Sequence, residues 1–192
     1  MEPTRAIWTI GHSNHTFERF VQLLRGEQIE LVVDVRSYPY SRFAQHFNRE
    51  QVESALRDKG ICYLFLGEQL GGRPTSDEHY DEQGRALYDR MAQQPSFRAA
   101  IKRLIDGAGE HRVTLMCSEA DPHGCHRRLL VGKVLADSGL QLRHIFADET
   151  VLIENTVRLR ADSQETLFGE ETAWRSTQSV SHRRRLSISS AA

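Results

Sequence analysis

A chain of 192 residues with 25 Lys and Arg against 26 Asp and Glu has a formal net charge of −1, which excludes a uniformly basic nucleic-acid coat while leaving room for a local positive cleft. The composition, 39% hydrophobic and 27% charged, is that of a globular domain with a substantial core. Three scattered cysteines cannot build a disulfide framework, no segment approaches the roughly 18 consecutive apolar residues of a membrane span, and the first residues lack a signal-peptide pattern, so the expected compartment is the cytoplasm.

Residues 6–10 read as a short strand ended by Gly11. Thr16 is placed to cap a helix carrying Phe17, Phe20, Val21 and Leu24, with Gly26 at its end. Residues 31–35 are a nearly continuous β-branched apolar run, which suits a strand buried on both faces of a parallel sheet. After a loop over residues 36–47, Asn48 is placed to cap a helix with Val52, Ala55 and Leu56, which Gly60 terminates. Residues 61–66 form a third strand. The long stretch 67–84 is rich in Gly and charge, a length that in a compact domain points to function.

Helix is expected from about Arg85, interrupted near Pro95 and carrying the apolar stripe Phe97, Ile101, Leu104 and Ile105. Residues 113–117 form a fourth strand, 126–137 a helix ended near Gly139, and 140–146 a fifth strand. Strand and helix alternate without internal repeat. This predicts an α/β fold: an open, mostly parallel sheet with helices on both faces, Rossmann-like and three-layered. The domain is expected over residues 1–160. Beyond it Ser, Thr, Gln and Arg dominate, and residues 161–192 read as a flexible tail.

In open parallel sheets, ligands bind outside the carboxyl ends of the strands, near a switch in strand order. Four chemically unusual segments follow strands here: Gly11-His12-Ser13, Asp34-Val35-Arg36 continuing to Ser41-Arg42, Leu70-Gly71-Gly72, and the run from Cys117 through Glu119 to Cys125-His126-Arg127. Each alone has a structural explanation: a βα turn, an ion pair, a small buried cysteine. Their expected convergence on one sheet edge carries the functional reading.

The helix after the Cys117 loop directs its N-terminus toward that loop, and His126, Arg127 and Arg128 add positive charge that favours a thiolate. Cys117 is thus the candidate nucleophile, with Glu119 and His126 as candidate proton-transfer groups and Cys125 as a resolving or coordinating thiol. His12, Ser13, Asp34, Arg36, Ser41, Arg42 and Arg127 are the candidate substrate-binding residues for an anionic, nucleotide or nucleic-acid, substrate. Metal binding by Cys117, Cys125, His126 and His12 ranks second, because a Cys-x7-Cys-His spacing is not a standard zinc motif; no metal is assigned. Leu70-Gly71-Gly72 has the spacing of neither a P-loop nor a dinucleotide fingerprint, so no cofactor is assigned.

With these segments assembled, the sequence resembles the bacterial domain-of-unknown-function 488 family. The matching residues are Thr9-Ile10-Gly11-His12-Ser13, Asp34-Val35-Arg36 with Pro39, Ser41 and Arg42, Leu70-Gly71-Gly72, and Cys117-x-Glu119 followed by Cys125-His126-Arg127. The resemblance spans roughly residues 7–145 and implies an α/β fold with these polar segments grouped; it supplies no reaction. A looser likeness to rhodanese-type domains, an Asp-Val-Arg after one strand and a strand–Cys–loop–helix later, is one of form, because the loop after Cys117 is longer and lacks a compact anion cradle.

In the tail, Gln164-Glu165-Thr166-Leu167-Phe168 looks like the Gln-x-x-Leu-Phe peptide by which bacterial repair and replication proteins dock on the DNA sliding clamp. There the Gln makes polar contacts while Leu and Phe fill an apolar pocket. The His182-Arg183-Arg184-Arg185 cluster reads as a solvated basic end that can touch phosphate backbones nonspecifically. Two functions therefore stay open: an enzyme at the strand-end cleft, and a noncatalytic accessory protein of DNA repair that docks on the clamp.

Overall fold

The computed structural model describes residues 5–154 and 174–181. Its strands are β1 Ala6–Gly11, β2 Leu31–Asp34, β3 Cys62–Phe65, β4 Val113–Cys117, β5 Gln141–Ile145 and β6 Val151–Ile153. They form one sheet in the order β3-β2-β4-β1-β5-β6. The first five run parallel and β6 pairs antiparallel with β5. The helices are α1 Phe17–Gly26, α2 Arg49–Asp58, α3 Gly67–Leu70, α4 Tyr88–Gln93, α5 Pro95–Glu110 and α6 Lys133–Asp137, the last preceded by a π-helical stretch, Arg127–Gly132. Thr16 caps α1, its hydroxyl accepting from the Arg19 N–H at 3.2 Å.

Side chains alternate across a strand, and here the alternation divides two cores. Trp8, Ile10, Val32 and Met116 pack with Phe20 and Leu24 of α1 and Val52 and Leu56 of α2. Ile7, Val33 and Leu115 pack on the other face with Met91, Phe97, Leu104 and Leu135. Each fully buried aliphatic or Phe side chain contributes roughly 1.5–3 kcal/mol. Both faces are covered, so the α/β fold is an open three-layer sheet.

The chain steps outward from β1 through β2 to β3 on the α1 and α2 face. It then returns through β4 to β5 on the opposite face, which places β4 between β2 and β1. The direction of winding reverses at β4. Loops leaving β2 and β4 therefore diverge to opposite faces and leave a crevice at their carboxyl ends.

Three features depart from the sequence expectation. β6 joins β5 through a tight hairpin with Glu149 at φ 70°, and its Leu152 and Ile153 are 43% and 52% exposed; three half-solvated residues on an edge carry no readable apolar alternation. The helix expected over 126–137 begins as a π-helical turn, a hydrogen-bond register that periodicity does not encode.

The third is the segment 174–181, part of the stretch that composition marks as tail, which lies against the domain. Ser176 N–H donates to Ala86 O at 2.9 Å, Val180 N–H to Gly84 O at 2.9 Å, and Trp174 Nε1–H to Leu129 O at 2.7 Å. No helix among the described residues is long and apolar enough to cross a membrane.

Candidate functional site

The ends of β1 and β4 are locked together: Gly11 pairs with Cys117, His12 N–H donates to Cys117 O at 2.8 Å and Ser13 N–H to Ser118 O at 3.0 Å. A side chain at Gly11 has no room, since its first carbon would stand 1.8 Å from Glu119 O. The glycine lets the Glu119 loop cross directly over β1. Ser13 follows in the left-handed region at φ 46°, a conformation that costs about 1 kcal/mol for a residue with a Cβ.

Behind this edge sits a closed ionic unit. Asp34, 0% exposed, binds Arg36 through Nε at 2.9 Å and Nη2 at 2.6 Å. Tyr63 Oη–H donates to the same carboxylate at 2.7 Å, and Arg36 Nη2–H donates to Phe47 O at 2.8 Å. Arg36 Nη1 approaches His12 Nε2 at 3.1 Å; a guanidinium only donates, so Nε2 accepts and the ring proton sits on Nδ1, facing Ser13 O at 3.0 Å. Burial and the neighbouring Arg36 charge hold His12 down at about 4. It is a neutral acceptor, stacked on Phe47 at 4.4 Å. Tyr63 is held above its usual value by burial and by the Asp34 charge.

On the opposite side of the crevice, Cys117 at the end of β4 meets Cys125 and His126 at the entrance to the π-helical stretch. His126 Nδ1 lies 3.8 Å from Cys117 Sγ and 3.9 Å from Cys125 Sγ. The three donor atoms fall within 4.8 Å of one another. His126 Nε2–H donates to Val35 O at 2.8 Å, which turns Nδ1 to the sulfurs. The ring also rests on Gly72, where a methyl group would stand 2.6 Å from His126 Cγ. That contact gives the Leu70-Gly71-Gly72 motif its reason.

The Cys125 thiol beside it, and then His126 and Arg127, hold the Cys117 thiol well below its usual value. Burial and the adjacent Cys117 sulfur push Cys125 up. Burial alone would lower His126, but Cys117 outweighs it and raises it. Cys117 is the thiolate of the pair. Arg127, 1% exposed, spans the loop by donating to Glu119 O and, at 2.8 Å, to Ala120 O. Its role in the fold is to close that loop over β1.

The crevice holds a cavity of about 630 Å³ lined by Cys117, Glu119, His126 and Arg36 together with Tyr38, Tyr40 and Arg73, within the range of small-molecule sites. Four of the sequence-selected residues thus line one cavity. Asp34 and His12 lie behind it, gripping Arg36. Ser13, Ser41 and Arg42 are not among its lining residues; the Ser41 hydroxyl accepts from the backbone of Phe43 and Ala44 and shapes the loop. Gln164, Leu167 and Phe168 lie outside the described residues.

Residues 176–180, with Ser37 and Tyr88, also line it, and the sequence does not single them out. The isolated Trp174 amid polar residues is the one signal that could have pointed to them.

No curated protein and no solved structure matches the chain. The model of the family described as "Domain of unknown function DUF488" matches residues 16–134. That span takes in α1 through the start of α6, with Asp34, Arg36, Cys117, Glu119, Cys125, His126 and Arg127, and leaves out β1, His12, Ser13 and the clamp-like peptide. Covering well over half of the chain, the match places this protein in the domain-of-unknown-function 488 family.

Proposed function

We propose that the chain is an enzyme acting in this cleft on an anionic substrate of nucleotide size, with Cys117, Cys125 and His126 as its reactive centre. The observation that carries the reading is the convergence of the three groups at the carboxyl ends of the strands, with Cys117 and His126 on the floor of a polar cavity and Cys125 buried behind them. Arg73 on the wall makes no ion pair among the described residues and is suited to a phosphate or carboxylate. The hydroxyls of Ser37, Thr177 and Ser179 add neutral hydrogen bonds, and the half-to-largely exposed rings of Tyr38 and Tyr40 offer stacking faces to a base. Glu119, exposed on the wall, is the group for proton transfer.

The test is turnover of a panel of nucleotides, phosphate esters and phosphate-free analogues by the full chain and by Cys117→Ser. Turnover confined to anionic compounds, lost at least about a thousandfold in the variant, is expected. A variant at the wild-type rate would refute the reading. The thiols are all unpaired, in keeping with a reducing cytoplasm.

A second proposal concerns docking rather than chemistry. The Gln164 to Phe168 peptide supports a role on the sliding clamp of DNA repair, and the chain on either side of it is fastened at Glu154 and Trp174. Binding to purified clamp should vanish with Leu167→Ala and Phe168→Ala together; binding that persists removes the proposal.

A further inference from the structure

The cluster on the cavity floor is built from acceptors and weak donors that face one another. Cys117 Sγ, Cys125 Sγ and His126 Nδ1 converge in a buried place, and His126 has spent its one strong N–H donor on Val35 O at 2.8 Å. Two sulfurs and one ring nitrogen converging on a common point are the soft donor set of a metal ion. The distances say what fits. A tetrahedral ion with bonds of about 2.3 Å to sulfur and about 2.0 Å to nitrogen separates its S and N ligands by about 3.5 Å. The two Sγ to Nδ1 separations here, 3.8 and 3.9 Å, need to close by only a few tenths of an ångström.

Three further observations point the same way. The Nε2–H···O=C bond to Val35 is the outer contact by which ligating histidines are oriented and kept in one tautomer. Gly72 packs flat on the imidazole, so the ring is placed by the backbone of another loop rather than left to choose a rotamer. Exposure is also asymmetric: Cys125 is 0% exposed, whereas Cys117 and His126 line the cavity. A fourth coordination position would therefore open into the cleft, the arrangement of catalytic rather than structural sites.

We propose that Cys117, Cys125 and His126 bind one divalent ion of the zinc class, with its fourth position open to the cleft for a water molecule that Glu119 deprotonates. Two sulfurs and one nitrogen select zinc over the oxygen-loving magnesium and calcium. Glu119 lines the same cavity and is not one of the three converging donors, so it supplies a carboxylate to the cleft without being a ligand. The reaction class is then hydrolysis: the bound water gives its proton to the Glu119 carboxylate, the hydroxide adds to an electrophilic carbon or phosphorus of the substrate, and Glu119-H returns the proton to the leaving group as its bond breaks. The inference rests on the proposed function only in taking the cleft as the reacting site; the ion itself can be tested without any substrate.

The full chain, purified without metal-affinity resin, is reduced, treated with chelator and titrated with zinc and with cobalt. One equivalent is expected to bind, and cobalt is expected to give the thiolate charge-transfer band and strong visible bands of a tetrahedral sulfur site. Cys117→Ser, Cys125→Ser and His126→Gln should each weaken zinc on the order of a hundredfold or more. Glu119→Gln should keep the ion and lose turnover.

Folded wild-type protein that retains no zinc and shows no cobalt band overturns the inference. So does a Cys117 thiol alkylated equally fast with and without zinc, a measurement on wild type that stands even where a variant fails to fold. Undiminished turnover in chelator removes the ion and leaves the cleft reading intact, whereas tight zinc with full turnover in Glu119→Gln removes the water-activating role.

Discussion

Two histidines 18 residues apart in the chain, His144 buried and His126 half-buried, occupy opposite kinds of surroundings. His144 on β5 meets Thr9 Oγ1 through Nδ1 at 2.7 Å and Glu154 Oε2 through Nε2 at 2.7 Å. Arg128 closes the other oxygen of Glu154 at 2.7 Å through Nε. Cation, carboxylate and ring complete one another. His126 has one partner of that kind, Val35 O, and turns its other nitrogen to two sulfurs. A closed network of matched donors and acceptors stabilises and orients; convergent acceptors around a common point, facing a cavity, form a site. The chemistry of the partners, rather than their number, separates the two.

The comparison breaks most visibly at Glu154. Its replacement by Ala takes away the carboxylate that Arg128 and His144 share, and should cost about 3–5 kcal/mol in denaturant unfolding, while zinc affinity per folded molecule stays unchanged. A loss under 1 kcal/mol would show that the network is not the structural one. The same residue fixes a pH dependence. Burial pulls the Glu154 carboxyl up, but the bonds from His144 and Arg128 outweigh it and hold the carboxyl below its ordinary value of 4.5. A depressed carboxyl gives stability that is full above the unfolded-state value and is lost as pH falls through the folded one. Stability should therefore decline below about pH 4.5, and Glu154→Gln should flatten that decline.

Gly72→Ala sharpens the other half of the comparison. The added methyl must displace the His126 ring, because the two cannot share 2.6 Å. The ring then loses the Val35 bond, and zinc affinity should fall about 10–100-fold, the effect of losing an outer orienting contact. The unfolding midpoint should move little beside that of Glu154→Ala. Unchanged zinc binding would mean that Nδ1 of His126 is not a ligand.

Much of this architecture was legible in the sequence because periodicity reports burial. The β-branched run at Val32-Val33 and the alternation of Ile7, Trp8 and Ile10 identify strands whose faces meet two different helix layers. The site was legible in part for a different reason: topology sends every strand end to one edge, so Cys117, Arg36 and the Gly11 turn had to meet. What the sequence withholds is direction. Nothing in Cys125-His126-Arg127 says that the arginine turns back to carbonyls at Glu119 and Ala120 while the histidine turns to the sulfurs; that depends on the π-helical register in which the helix begins. Likewise Ser176 and Val180 hold the domain through backbone hydrogen bonds, which no side-chain pattern announces.

That last segment supplies the smallest expected effect. Residues 176–180 form one wall of the cavity, fastened by backbone bonds, by the hydroxyls of Ser176 and Ser179 on Ala86 N–H and Gly84 O, and by the ion pair of Arg175 Nη1 with Asp81 Oδ2 at 2.8 Å, with Arg175 36% exposed. A half-solvated pair of this kind is worth no more than about 1 kcal/mol, so Arg175→Ala should scarcely change global unfolding. Its consequence should be local. The N–H groups of Ser176 and Val180, bound to Ala86 O and Gly84 O, should exchange with solvent several-fold faster. Substrate should bind more weakly at an unchanged zinc affinity, because the wall and the floor of the cleft are held by separate elements. If loosening the wall also loosens the ion, floor and wall form one cooperative unit, and the division between a closed scaffold and an open site lies elsewhere than at the His126 cluster.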